Sequence, residues 1–134
     1  MTSHAFLNPS ELLPGQGFSH VAVPAAGQTI YLAGQTAHQA DGSIRGATMA
    51  AQADAALANL GTALRAAGAT PQHLVAMQIF VTDVAAYRAE LADIGRSWQT
   101  HLGKHYPTVS LFGVAELFDP AAHIEILSIA VVPH

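Results

Sequence analysis

LVAMQIFVTDV, residues 74–84, decides how the rest of this chain can fold. Drawn as a strand, it places apolar side chains on both faces, as a central strand of a sheet requires. Val75, Ile79, Phe80 and Val81 are β-branched or aromatic and favour the extended chain. Immediately after it, residues 85–102 read as a helix with Tyr87, Leu91, Ile94, Trp98 and Leu102 on one face and Arg88, Asp93, Arg96 and Gln99 on the others. Gly103 ends that helix. Before the strand, residues 47–67 form a longer helix. Met49, Ala53, Ala56, Leu57, Leu60, Leu64 and Ala67 recur there at spacings of three and four. Gly68 closes it and Pro71 prevents its continuation.

Further out, residues 106–117 and 123–132 read as strands, with Pro107 at the start or on an edge. On the N-terminal side, 18–23 and 29–37 read as strands joined by the turn 24–28, a β-hairpin. Gly34 lies inside the second; an interior glycine marks a bulge or a close backbone approach by a ligand. Residues 1–17 are expected to be irregular, because Pro9, Pro14, Gly15 and Gly17 interrupt any regular element. The order β-β-α-β-α-β-β predicts an α+β fold, one mixed sheet with two helices on one face, in a single domain spanning 1–134.

Composition narrows the function. Of the 134 residues 51% are hydrophobic and 10% charged, where about 25% charged is usual. Such a surface is expected to be covered in part by partner subunits. With no cysteine there is no disulfide scaffold, thiolate zinc site or cysteine nucleophile. The five basic residues, Arg45, Arg65, Arg88, Arg96 and Lys104, form no stripe, which argues against nucleic acid as a partner. Residues 12–40 carry no Asp, Glu, Lys or Arg, but their prolines, glutamines and glycines are those of turns rather than of a membrane helix. No signal-peptide pattern precedes them, and a cytoplasmic location is expected.

Few motifs carry chemistry. The eight histidines make no metal-ligand spacing; His101 and His105 are four apart but separated by Gly103 near a helix end. No metal is expected. No Gly-x-Ser-x-Gly, phosphate loop or dinucleotide fingerprint occurs. Glu125 stands out. In HIEILSIAV it shares a strand face with His123, Leu127, Ile129 and Val131. A carboxylate there is paired, has a raised pKa, faces a pocket, or lies near enough to a strand end to reach solvent. A raised pKa would suit a general acid or base.

Ala33-Gly34-Gln35, the helix AAQADAALANLGTALRAAG, the strand VAMQIFVTDVAAY and the segment YPTVSLFGVAELFDPAAHIEILSIAV together resemble the Rid family, the YjgF-type reactive intermediate deaminases also called endoribonuclease L-PSP. The likeness runs from about Phe18 to Val132. It implies a chorismate-mutase-like fold and a homotrimer with small-molecule clefts between subunits. It also implies hydrolysis of imines and enamines, such as 2-iminobutanoate, to a 2-keto acid and ammonia, with no cofactor. Residue by residue, the family glutamate that orients water matches Glu125. Phe18 matches the aromatic residue of the first strand, Gly34 the cleft-lining glycine, and Ala33 stands where a serine is common. Leu111 falls where a backbone group lines the pocket, and Leu91 where a polar residue is frequent. One position departs from the pattern. The arginine that holds the substrate carboxylate, two residues after the family proline, is Val109 here.

Losing such a charge-assisted pair costs about 2–5 kcal/mol of binding. A 2-imino acid is therefore expected to be a poor substrate, and an apolar pocket of Phe18, Leu91, Val109 and Leu111 suits a neutral or aromatic ligand. Two readings stay open: a hydrolase of carboxylate-free imines or enamines, and a non-catalytic trimer that binds a metabolite or partner in the same clefts. Ribonuclease activity, a third, follows only from the family's old label. Arg96 and the histidines at 20, 38 and 123 are candidates to replace the missing cation.

Overall fold

The computed structural model describes residues 3–134. Within these residues ten elements follow one another, one of them a single 3-10 turn, Pro71–His73. Strands are β1 (Ala5–Leu7), β2 (Val21–Val23), β3 (Gly27–Gln35), β4 (Leu74–Val81), β5 (Thr108–Gly113) and β6 (Ile124–Pro133). Helices are α1 (Met49–Ala66), α2 (Val84–Ala89) and α3 (Leu91–Leu102). The main sheet has the order β3-β6-β4-β5, and it is mixed: β4 and β5 run parallel while β6 is antiparallel to both β3 and β4. The fold class is thus α+β, with residues 74–81 in the interior of the sheet as their two-sided apolar pattern requires.

Local chemistry sets the helix ends. The Thr48 hydroxyl accepts the Ala51 N–H at the start of α1, and Gly68, with φ 72, turns the chain away just past its end. Leu57, Leu60 and Leu64 of α1 and Ile94, Trp98 and Leu102 of α3 pack over Ile79, Val81, Ile124 and Ile126 of the sheet. The opposite sheet face is open. Tyr31 is 80% exposed there, and Phe112 and Leu127 are also exposed.

Three sequence expectations need correction. The hairpin of 18–23 with 29–37 does not form: β2 pairs antiparallel with β1, making a separate two-stranded ribbon, so residues 5–7 are not irregular. Ser19 explains it. Its N–H bonds the Pro107 carbonyl, its hydroxyl bonds the Tyr106 carbonyl, and it bridges Thr108. This segment is thereby held beside β5, at the far end of the sheet from β3.

The helix expected over 85–102 is two helices. Asp83 caps α2 by accepting the Ala86 N–H. At Glu90 the chain leaves helical geometry, and its carboxylate accepts the Ala50 N–H, one of the unpaired donors in the first turn of α1. The strand at 106–117 is shorter than expected, since after Gly113 the Val114 N–H turns to the Val81 carbonyl.

Candidate functional site

Strand pairing divides the candidate residues between two faces. Met77 and Ile79 of β4 are buried against the helices, and Val109 and Leu111 stand beside them in register. Val109 and Leu111 therefore project to the helix side at the sheet's β5 edge. There they line a cavity of about 620 Å³ together with Phe18 and Leu91. The rest of the wall is mostly aromatic and apolar, including Tyr87, Ile94, Trp98 and Tyr106. Burial pushes the Tyr87 phenol above its ordinary pKa. The Trp98 indole N–H is spent on the His105 carbonyl, at 3.0 Å. No carboxylate lines this cavity.

Arg96 is also among the lining residues. It is paired to Asp93 one helical turn away, on the exposed surface of α3. Sequence reasoning named Arg96 as a site candidate but not Tyr87, Trp98 or Tyr106. The apolar helix face of Tyr87 and Trp98 was visible, but not the gap left between that face and β5, nor that Tyr106, in the segment between α3 and β5, borders it.

Glu125 stands elsewhere. It is opposite Phe80, which in turn is opposite Phe112, so the three form a row across the open face. The two rings stack with centroids 5.6 Å apart. Glu125 is half-buried. Between Leu32 and Gln35 the β3–β6 register shifts, so the interior glycine does mark a bulge. A methyl group on Gly34 would overlap Glu125 Oε2. The space over Gly34 is thus filled by the carboxylate of Glu125 itself. Ala33, exposed, precedes it on the same strand. No hydrogen bond joins the His123 ring to Glu125; the His123 backbone is bound instead to the buried Gln52 Oε1, at 2.7 Å.

The candidates therefore fall into two groups within one chain. Phe18, Leu91, Val109 and Leu111 come together, and Ala33, Gly34 and Glu125 come together on the other side of the sheet. Among the described residues, no three His, Asp or Glu side chains converge as metal ligands. Among the described residues, no helix is long and apolar enough to cross a membrane.

Compared with known proteins, residues 9–132 match the family model for endoribonuclease L-PSP. Among solved structures, the Rid-family protein YyfB from Yersinia pestis, itself of unknown function, is 33% identical, with a TM-score of 0.88 over 98% of this chain and 100% of that one. Rv2704 from Mycobacterium tuberculosis, of the YjgF/YER057c/UK114 family, is 27% identical, with a TM-score of 0.63 over 97% of this chain and 100% of that one. The YjgF gene product of E. coli is 29% identical, with a TM-score of 0.65 over 78% of this chain and 81% of that one. No curated protein matches in sequence.

Proposed function

This chain belongs to the endoribonuclease L-PSP (Rid) family, and from that premise we propose that it hydrolyses a reactive imine or enamine lacking a carboxylate, with Glu125 positioning the attacking water. The observation that carries this reading is the seat of Glu125: its carboxylate lies in the bulge at Gly34, half-buried beside Phe80. A carboxylate held in such partly dry surroundings can orient water and take its proton as the C–O bond forms. Collapse of the carbinolamine then releases ammonia and leaves the carbonyl product.

The cleft is completed between copies of the chain in a homotrimer, because one chain's Glu125 and Val109 project from opposite sheet faces. Exposed Tyr31, Phe112 and Leu127 on the face of Glu125 support that assembly, since they leave apolar surface for a neighbour to cover. Phe18, Leu91, Val109 and Leu111 supply the apolar wall on which a neutral or aromatic substrate rests.

Glu125→Gln keeps the shape and removes the base. Ammonia release from carboxylate-free imines is expected to fall by about a hundredfold. Unchanged turnover would overturn the reading. A second reading, a non-catalytic ligand-binding trimer, is favoured by the absence of any carboxylate from the cavity wall. It predicts ligands that raise the melting temperature equally in the wild type and in Glu125→Gln.

A further inference from the structure

Just beyond the bulge, three side chains from two distant segments line up. The Thr36 hydroxyl donates to His38 Nδ1, and His38 Nε2–H donates to Asp119 Oδ2 at 3.0 Å. The carboxylate settles the tautomer: with Nε2 carrying the proton, Nδ1 is left as the acceptor facing the hydroxyl. Asp119 is itself fixed, its other oxygen accepting the Ala121 N–H at 2.9 Å. That bond and the His38 ring hold its carboxyl below the ordinary aspartate range. From the other side, Asn59 Nδ2 donates to the carbonyls of Thr36 and His38, both at 2.8 Å, and so ties the loop to α1.

Hydroxyl, imidazole and carboxylate in series are the parts of an activated nucleophile. They stand at a cleft of about 490 Å³ between this loop and α1, lined by Thr36, His38, Gln39, Asn59 and Thr62. Asp119 is not part of that wall, so it orients the ring from behind while Thr36 and His38 border the open space. A purely structural tie of the loop would not need the Thr36–His38 bond; the Asn59 bonds already provide one.

The geometry points to a second, hydrolytic site here, in which Thr36 is an acyl-accepting nucleophile for small carboxylic esters, His38 its base and Asp119 the residue that positions His38. Thr36 Oγ1 attacks the ester carbonyl as its proton passes to Nδ1. The C–O bond to the alcohol then breaks, and the alkoxide leaves with that proton. Water hydrolyses the acyl-threonine by the same route, returning the hydroxyl and releasing the acid. The carboxamides of Gln35 and Gln39 are on the same wall; each spends one N–H, on the Ala33 carbonyl and the Ser43 hydroxyl, and has a second to offer the oxyanion.

The probe is p-nitrophenyl acetate. Surface imidazoles also cleave it slowly, so the decisive variant is Thr36→Val, which removes the hydroxyl and keeps all eight histidines. Its rate is expected to fall at least about a hundredfold, and Thr36→Ser to retain activity. Quenched wild-type enzyme is expected to carry one acetyl group on the peptide containing Thr36. Asp119→Asn, which keeps an acceptor for the Ala121 N–H but reverses the tautomer of His38, is the second variant, read even if Thr36→Val fails to fold. It is expected to lower kcat with little change in KM and to flatten the imidazole limb of the pH profile. Hydrolysis unchanged in Thr36→Val or in Asp119→Asn, acetyl groups confined to other residues, or no wild-type rate above that of free imidazole would each overturn the proposal.

Discussion

The carboxylate of Glu125 occupies the space above Gly34 that a methyl group would take, with Oε2 overlapping the place of that methyl. Neither residue is strained into the left-handed region; glycine is needed there for room. One consequence is that a bulge in β3 and an acid in β6 form a single device. Because the contact is to the flexible end of a side chain, Gly34→Ala is expected to displace the carboxylate rather than unfold the protein. Imine hydrolysis should drop to the level of Glu125→Gln while the melting temperature changes little. Ammonia release and a thermal melt, run on the same preparation, check both halves.

Gln52 holds the loop before β6 from inside. It is 1% exposed, donates to the Gly46 and Ala121 carbonyls at 3.2 and 2.9 Å, and accepts the His123 N–H. Gln52→Leu fills a similar volume but leaves three backbone groups without partners. With each buried orphan costing about 1–3 kcal/mol, a loss of at least about 2 kcal/mol is expected, measured by urea unfolding. A smaller change would mean that water reaches these groups.

Ser128 is the reverse case. It is buried among Leu32, Met77 and the helices, and its hydroxyl has no hydrogen-bond partner. Ser128→Ala removes an unsatisfied polar atom at almost no cost in volume. The variant is expected to equal or exceed the wild type in stability, by up to about 1 kcal/mol, in the same urea experiment.

These two residues also mark where the sequence stops being readable. Periodicity reveals α1 because one helix face is enough to define it, and Gly34 announces its bulge by its own composition. The break at Glu90 depends on the Ala50 N–H, some forty positions away, and no local pattern carries that. Residues 5–7 are a strand through their pairing with β2, which Ser19 holds beside β5. Glu125 and Val109 could each be placed on a strand, but not on opposite faces. That follows from the β5–β4–β6 register, which side-chain alternation within one strand does not fix. The Thr36–His38–Asp119 series was invisible for the same reason, its carboxylate arriving from a loop beyond β5.

His105 is expected to make stability pH-dependent. Burial lowers its pKa below the ordinary 6.5, with nearby His4 and His73 adding to the effect and the Leu74 carbonyl, 2.8 Å from Nε2, opposing it. A histidine whose folded-state pKa is depressed binds protons more readily in the unfolded chain. Its contribution is therefore present above pH 6.5 and is lost as pH falls through the lowered value. Urea midpoints should decline from pH 7 toward pH 5, and less steeply in His105→Gln. Equal slopes in the two proteins would assign the effect to other groups.

Val109→Arg asks whether a carboxylate anchor is all that separates this cleft from one that accepts 2-imino acids. The new side chain would project to the helix side, into the cavity lined by Phe18, Leu91 and Tyr87. Unliganded, a guanidinium there lacks a partner among mostly apolar groups, so the melting temperature is expected to fall. A 2-keto acid, the product of such a reaction, should restore it by binding the folded state only. The same pair that costs about 2–5 kcal/mol when broken should, when supplied, raise kcat/KM for 2-imino acids by about 30-fold or more. Keto-acid rescue without turnover would show an anchor in place and a catalytic acid out of reach. Neither rescue nor turnover would mean that the cleft has diverged beyond this one residue.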